Sequence, residues 1–374
     1  MLDKLLNIFR SNRPMTSLHT YDRKIPVSRQ LRRYNYRVDA SLKEWRQAVS
    51  LAEDPVRPNR YPLYMLYNRV MEDDQILAQV RTARFNIQMS DYEVRIDNTP
   101  NEDLIRLLDS PWFFKYLEYC VDTEMYGYSL IEPITGDDGY ISQILIMPRE
   151  HVAPPLQHIL FNPSDDTGMS WNMPPIAGKL IGIGDPDDLG LLKSAAKLII
   201  RKDYNIVDWG RRNERFGIPY ITMKTASRDK SELDEKERML ENFGASGWAL
   251  IDDEDQIDIH EPGSNSSGGH MSFQDFLNYA DRCIAFLING TTASSEQVAY
   301  VGNAQVQERQ LNKYTLARMR RIQYHINFEL FPFLTTHFNY PLANAHFAFK
   351  DLEHNEENAT INTDNASTDA KNMS

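Results

Sequence analysis

The sequence predicts an α+β fold in which helices dominate, and three observations support that prediction. Apolar residues recur at helical spacing along several segments, one of which would span roughly 40 Å as a helix. A compact β-α-β-β pattern lies between two of these helical segments. Apolar residues form 41% of the 374 residues, which is enough for a core in a chain of this length.

The first 60 residues form a separate region by composition. They contain 13 Lys and Arg against 6 Asp and Glu, few apolar residues, and four prolines that interrupt any regular element. This composition predicts an extended basic arm over residues 1–60. The arm would either be solvated and partly disordered or dock on a partner subunit or an acidic surface.

Helical patterns follow the arm. Apolar residues recur every three or four positions over residues 63–80. Thr99 is expected to cap the next helix, with Pro100 at its first helical position. Ser110 should begin another helix, and Gly127 should end it because glycine adopts the left-handed conformation at little cost.

Strand patterns occupy the following segment. Apolar runs at 128–132 and 140–147 flank the turn sequence Gly-Asp-Asp-Gly at 136–139, which predicts a β-hairpin. Residues 148–186 carry proline pairs and little periodicity, so they should form loops and short strands.

Two long helices are expected to bracket the β-α-β-β insert. The first covers residues 187–216 and should end at Gly217. The insert and a Gly/Ser-rich linker cover residues 217–269. The insert itself would consist of strand 218–223, helix 230–243, and strands 248–251 and 256–260.

The second bracketing helix, 270–290, should begin at a Ser272 cap and end at Gly290. Residues 291–304 are small and polar, which predicts a loop. A last long helix is expected from about residue 305, and it should stop before Pro332.

The net charge of -12 is concentrated in two segments. Residues 229–261 carry 12 acidic against 3 basic residues, and the tail 351–374 carries 6 against 1. The tail also lacks core residues and is predicted to be disordered. The rest of the chain is slightly basic, so the composition argues against tight binding of nucleic acid but not against DNA as cargo.

Patterns for catalysis and cofactors are weak. Cys120 and Cys283 lie in apolar helical patterns, which excludes a disulfide framework and a cysteine zinc site. The glycines at 182–190 lack the spacing of a dinucleotide site, and no phosphate-binding P-loop is present. The acids at 252–255 could bind Mg²⁺ or Ca²⁺, but a solvated hairpin turn is favoured. No catalytic residue, metal or cofactor is assigned. The apolar N-terminal stretch is short and interrupted by charge, so neither a signal peptide nor a membrane span is expected.

Several phrases, in this order, resemble the portal proteins of Mu-like tailed phages. The resemblance begins at YPLYMLY and covers residues 60 to 345 approximately. Its most specific part runs from Lys202-Asp203-Tyr204 to Asp208-Trp209, and Ile288-Asn289-Gly290-Thr291-Thr292-Ala293 is similar to the family's Gly-Gln-Thr-Leu-Thr-Thr segment. The other matching segments are 73–77, 81–84, 126–132, 178–181 and 215–219.

The resemblance implies a portal fold and assigns a part to each region. Residues 61–186 would form the α/β wing, 187–216 and 270–290 the stem helices, 217–269 the clip with its linker, 291–304 the tunnel loop, and 305–350 a long helix with a wing- or crown-proximal segment.

The resemblance also implies roles for particular residues. The tunnel loop would face DNA through Thr291, Thr292, Ser294, Ser295, Gln297, Tyr300 and Asn303. Channel or intersubunit charges would be Arg309, Lys313, Arg318, Arg320 and Arg321, although each alone fits a solvated helix face equally well. The clip would meet its partner through Glu232, Asp234, Glu235, Asp252, Asp253, Glu254 and Asp255.

By the same resemblance, the protein is a non-enzymatic component of the virion. It would form a ring of about twelve copies at the capsid vertex, assembled in the host cytoplasm, through which double-stranded DNA passes. Its partners would be the terminase large subunit, a neck or adaptor protein, and capsid and scaffold proteins, with no membrane involved. Two alternatives are a Mg²⁺-dependent nucleic-acid enzyme of a phage, which would use the acids at 252–255, and a smaller head-completion adaptor.

Overall fold

The computed structural model describes residues 15–17, 21–33, 41–164, 167–216, 220–225, 228–246, 256–260, 268–292 and 301–352. The chain divides into two compact units. Unit 1 comprises Met1–Ile200 and Ala280–Ser374, and unit 2 comprises Arg201–Tyr279. Helices and small antiparallel sheets are both present, which confirms the mixed helix and strand character.

The described part of the predicted basic arm packs into unit 1. This part contains a short helix, α1 (Val27–Gln30), and the buried carboxylate of Glu132 lies at its amino end. That carboxylate accepts hydrogen bonds from Val27 N at 2.8 Å, Ser28 N at 2.9 Å and the Ser28 hydroxyl at 2.7 Å. Met15 and Val27 are fully buried, so this segment is not a solvated lead-in.

Three helices follow: α2 (Leu42–Ala52), α3 (Tyr61–Val70) and α4 (Asp74–Gln88). Ser41 and Glu44 form a capping box at the start of α2. The apolar pattern over residues 63–80 forms two helices because Asp73 caps α4. The Asp73 carboxylate accepts hydrogen bonds from the backbone N–H groups two and three residues later, at 3.0 and 3.1 Å.

The next elements are β1 (Tyr92–Ile96), β2 (Thr99–Pro100), α5 (Glu102–Leu108) and α6 (Pro111–Tyr126). The predicted Thr99 cap is wrong: Thr99 and Pro100 pair with β1 as a short strand. Asn101 caps α5 instead, since its side-chain oxygen accepts two backbone hydrogen bonds. Ser110 caps α6 and Gly127, at φ 88°, ends it, as predicted.

The predicted hairpin is present as β3 (Tyr128–Thr135) and β4 (Ile141–Ile146). A second small sheet contains β5 (Val152–Ala153), β6 (His158–Leu160) and β7 (Gly168–Ser170). One 3₁₀ turn (Arg149–His151) precedes β5 and another (Pro154–Leu156) joins β5 to β6. The strand β8 (Ile181–Gly184) returns to pair antiparallel with β3, which places β3 at the centre of its sheet.

The first long helix, α7 (Leu192–Phe216), begins five residues later than predicted. Residues 187–191 form a turn instead, in which the Asp188 carboxylate accepts a hydrogen bond from Gly190 N at 2.8 Å. The buried Tyr67 hydroxyl donates to Leu189 O at 2.7 Å and fixes the same turn to α3.

Unit 2 contains the predicted insert in part. Its elements are β9 (Tyr220–Lys224), α8 (Lys230–Ser246) and β10 (Gln256–His260), and the two strands pair antiparallel from Tyr220 with His260 to Lys224 with Gln256. The strand predicted at 248–251 lies outside the described residues.

The second long helix, α9 (Gly268–Asn289), begins before the predicted Ser272 cap and ends at Gly290 as expected. The helix α10 (Val301–His325) includes residues 301–304, which were predicted to be loop. It does not stop before Pro332. A π-helical turn (Ile326–Leu330) leads into α11 (Phe331–Phe338), and Pro332 lies in the first turn of α11.

The last strand, β11 (Ala345–Phe349), pairs antiparallel with β1. The predicted disordered tail lies outside the described residues from 353 onward. Among the helices that the structure describes, none has a stretch sufficiently long and apolar to span a bilayer.

Three clusters of buried apolar residues stabilise unit 1. One joins α6, α10, α11, β1 and β11; another joins α2, α3 and α4 to the first turns of α7 and the last turns of α9; the third holds α1 against β3 and the small sheet. Among the side chains that the structure describes in unit 2, none is buried. The described core of this protein therefore belongs to unit 1.

Candidate functional site

The carboxyl end of α9 is fixed by close packing in unit 1. Gly290 has φ +68°, and a Cβ atom at this position would lie 2.2 Å from the Tyr314 ring of α10. Thr291 and Thr292 follow and are 2% and 5% exposed. Because only glycine fits both the conformation and the space, the chain leaves α9 along one defined course.

A buried arginine holds this helix end. Arg318 of α10 is 3% exposed and donates through Nε to Glu124 Oε2 at 2.7 Å. Its Nη1 donates to Asn289 Oδ1 at 3.0 Å, and its Nη2 donates to Glu124 Oε1 at 3.5 Å and to Ile288 O. The guanidinium thus contacts a carboxylate of α6 and the last residues of α9 together.

The network continues to a fourth helix. The side-chain amide of Asn289 donates to Gln79 O at 3.0 Å and to Gln79 Oε1 at 2.8 Å, and both residues are buried in unit 1. At the surface side, Arg321 Nη2 donates to Glu124 Oε2 at 2.9 Å. The contacts between Asn289 and Gln79 satisfy polar groups that burial would otherwise penalise.

A cavity of about 340 Å³ lies beside this network, between the end of α6, β8 and α10. Burial lowers the pKa of His325 to about 4 and raises the pKa of the Cys120 thiol to about 12. At neutral pH the cavity therefore presents a neutral imidazole and a protonated thiol. Neither is an activated nucleophile or base, and among the described residues no cluster of His, Cys, Asp and Glu could hold a metal.

Two features of unit 2 bear on partner binding. The helix α8 exposes Glu232, Asp234 and Glu235, whereas the acids at 252–255 lie outside the described residues. The helix α7 exposes three large apolar side chains, Tyr204 at 51%, Ile206 at 47% and Val207 at 50%.

The sequence of residues 64–373 matches the family described as the portal protein of Mu bacteriophage. The chain belongs to this portal family. No curated protein matches the sequence.

Solved structures place the portal chain in a wider group of similar folds. It is 13% identical to a chain in the virion of a native gene transfer agent particle, with a TM-score of 0.56 and coverage of 86% of this chain and 95% of that one. A chain in the neck of a native gene transfer agent particle, computed with C12 symmetry, has a TM-score of 0.53 at 12% identity and coverage of 82% and 89%. These two similarities show a shared fold.

A third similarity is to an HK97 family phage portal protein from Corynebacterium diphtheriae. The identity is 13%, the coverage is 76% of this chain and 94% of that chain, and the TM-score is 0.43.

The structure places the tunnel-loop residues predicted for this portal protein in different settings. Thr291 and Thr292 are buried in unit 1, so these two do not offer a surface to DNA in this chain. Asn303 belongs to the first turn of α10. The other predicted tunnel residues, Ser294, Ser295, Gln297 and Tyr300, lie outside the described residues.

The predicted basic residues of α10 also divide. Lys313, Arg320 and Arg321 are exposed, and the side chain of Arg309 is outside those described. Arg318 differs from the prediction of a channel-facing or intersubunit charge, because its partners Glu124, Asn289 and Ile288 all belong to the same chain. Sequence reasoning missed Glu124 as that partner, since 194 residues separate the pair and no local pattern joins them.

Proposed function

We propose that this portal protein assembles as a ring of about twelve copies through which double-stranded DNA enters and leaves the capsid. The observation that carries the proposal is the family match over residues 64–373. The similarity in fold to a chain of a C12-symmetric particle neck supports the ring and its symmetry.

Exposed apolar side chains on α7 support self-association. Leu192, Ala196 and Ile199 are buried in the core of unit 1, and the same helix then exposes Tyr204, Ile206 and Val207 in unit 2. Apolar residues on consecutive helical turns favour burial against a partner. We propose that neighbouring copies supply the partner surface, in a head-to-tail contact that closes into a ring.

The charge distribution supports DNA as cargo rather than as a tightly bound ligand. Residues 291–304 contain no Lys or Arg and a single acid, Glu296. Because each phosphate contact by Lys or Arg adds an electrostatic attraction that motion must break, a segment without them suits a sliding duplex. We propose that the uncharged side chains of this segment face the DNA, namely those of Ser294, Ser295, Gln297 and Tyr300.

The acidic face of unit 2 is the proposed docking surface for the packaging motor and later the neck. Glu232, Asp234 and Glu235 are exposed on α8, in a segment with 12 acidic against 3 basic residues. Such a surface attracts basic partners and repels DNA. The proposed location is the capsid vertex, and the role is structural rather than catalytic.

The ring is tested by measuring the mass of the purified protein and imaging it by negative-stain microscopy. We expect closed rings of about twelve 43.4-kDa subunits. Ile206→Asp should prevent ring formation, whereas Val56→Asp, at a 75% exposed position of unit 1, serves as the control and should leave rings intact. A wild-type monomer that cleaves DNA with Mg²⁺ would overturn the proposal in favour of the enzyme.

The cargo role is tested in packaging assays with a deletion of residues 294–300, the segment between α9 and α10. We expect rings to assemble while DNA packaging or retention fails. Normal packaging by the deletion variant would show that this segment is not the tunnel loop.

A further inference from the structure

Two helices carry the chain between the units, and in unit 1 the ends of both helices lie against residues of one ion pair, Glu124 and Arg318. The division between units falls within α7, after Ile200, and within α9, before Ala280. The amino end of α7 and the carboxyl end of α9 both lie in unit 1. Glu124 of α6 contacts the first, and Arg318 of α10 contacts the second.

Arg318 donates hydrogen bonds to two residues at the carboxyl end of α9. It donates to the backbone oxygen of Ile288 and the side-chain oxygen of Asn289, both in the last turn. A cation is favourable here because the last carbonyl groups of a helix carry partial negative charge. The planar guanidinium fixes an angle between its acceptors, which a point charge cannot do.

Glu124 joins this arrangement to the amino end of α7. Its carboxylate accepts from Arg318 at 2.7 Å, while its backbone oxygen accepts from Leu191 N at 3.1 Å. Leu191 in turn accepts from Ala195 N in the first turn of α7, and Leu192 is fully buried. Glu124 therefore contacts the amino end of α7 through its backbone oxygen, and it contacts the carboxyl end of α9 indirectly, through the buried side chain of Arg318.

Burial leaves this arrangement few alternatives. Arg318 is 3% exposed, so losing Glu124 would leave a buried charge without its counterion. Arg321 cannot replace Arg318 at the α9 end, because its own contact is with Glu124 and its side chain is 56% exposed.

We infer that Glu124 and Arg318 are positioning residues that hold the amino end of α7 and the carboxyl end of α9 together. We call this arrangement the clamp. The clamp keeps the two helices that lead into unit 2 in a fixed mutual position within unit 1. Its consequence for DNA packaging rests on the proposed function, whereas the clamp itself does not.

Hydrogen–deuterium exchange on the full-length protein tests the clamp directly. Arg318→Ala should accelerate exchange at least tenfold in peptides covering both 189–195 and 285–292, although Arg318 does not itself contact the first of these. Asn312→Ala, an exposed position on the same helix, is the matched control and should change neither peptide. Acceleration in 285–292 alone, or a uniform increase across unit 1, would overturn the clamp.

Arg318→Lys keeps the charge and guards against a variant that fails to fold. Because lysine lacks the planar fork, we expect a smaller acceleration in the same two peptides, between those of the wild type and Arg318→Ala. Wild-type exchange in both peptides would show that charge alone suffices and would overturn the positioning role of the guanidinium.

A packaging assay then separates the clamp from the proposed function. In particles assembled with Arg318→Lys we expect rings in normal number but DNA-filled heads reduced several-fold, while Asn312→Ala packages normally. Normal packaging despite altered exchange would overturn the link to packaging. If the wild-type protein forms no rings, the proposed function fails, but the exchange result still decides the clamp.

Discussion

Unit 1 and unit 2 share two helices but differ in how they are stabilised. Unit 1 contains all three described apolar clusters, with aromatic anchors such as Tyr67, Phe113 and Phe347 fully buried. In unit 2 no described side chain is buried, even where α7 continues from one unit into the other. The same helix is therefore a core element in its first turns and a surface element in its later turns.

This difference indicates that self-association would stabilise unit 2 more than unit 1. A segment that buries little apolar surface within its own chain gains little from folding alone, and burial against another copy would supply what is missing. Unit 1 should therefore fold without a partner, whereas unit 2 should become more ordered in the assembled ring.

The largest expected contrast lies on α7, between Ile199 and Ile206. The two residues are seven apart and share a helix face, but Ile199 is 3% exposed and Ile206 is 47% exposed. Ile199→Ala should lower the free energy of unfolding by about 2–5 kcal/mol because it leaves a cavity. Ile206→Ala should change the stability of the dilute monomer by less than about 0.5 kcal/mol and should weaken ring assembly instead. Urea titration and mass measurement check both, and equal destabilisation by the two variants would contradict the comparison.

A second pair of variants compares two glycines. Gly290→Ala in unit 1 should lower stability by about 2–3 kcal/mol, because φ is positive and the added methyl group meets Tyr314. Gly210→Ala on α7 in unit 2 should raise stability by about 0.5–1 kcal/mol, since a Cβ there meets no atom within 4 Å and alanine favours the helix. Thermal unfolding measures both signs, and destabilisation by Gly210→Ala would show that this face is covered.

Burial should also make the stability of unit 1 depend on pH. The pKa of His325 is lowered to about 4 in the folded chain, from 6.5 when unfolded, so the unfolded state binds the proton first as pH falls. Stability from this group is complete above pH 6.5 and is lost toward pH 4. Between pH 7 and pH 5 the wild type should lose about 2 kcal/mol more than His325→Phe, which keeps the stacking on Tyr116. Identical losses in urea titrations at the two pH values would show that His325 is not buried as described.

The smallest expected effects concern helix caps. Ser41→Ala removes one half of the capping box of α2 and should lower the free energy of unfolding by about 1 kcal/mol. Asp229→Ala, before α8 in unit 2, should cost about 0.5 kcal/mol because its bond to Ser231 N is exposed and 3.3 Å long. Chemical denaturation of each variant gives the ranking, and the reverse order would mean that the α8 cap carries more of the stability of its unit than its exposure suggests.

Local signals in the sequence predicted local structure well. The Ser110 cap, the Gly127 stop and the β3–β4 hairpin depend on neighbouring residues, and each is present. Where two local signals compete, the pattern was insufficient. Thr99-Pro100 resembled a helix start, but pairing with β1 and the Asn101 side chain determined the outcome.

Long-range polar contacts were beyond the reach of the sequence. Arg318 looked like one of several basic residues on a helix face, and its burial depends on Glu124, which lies in a different helix. Likewise the carboxylate that caps α1 comes from β3. Spacing within a helix indicates which side chains share a face, but it does not indicate which distant carboxylate will meet them.

The contact between Glu132 and α1 limits how early α1 can form its native contacts during translation. The two partners are separated by 105 residues, so α1 has no carboxylate at its amino end until β3 has left the ribosome. Residues 27–30 therefore reach their final place only after a segment made about 105 residues later is available. Until then the apolar side chains of Met15 and Val27 lack the later residues, such as Leu130 and Met147, against which they are buried in the folded chain.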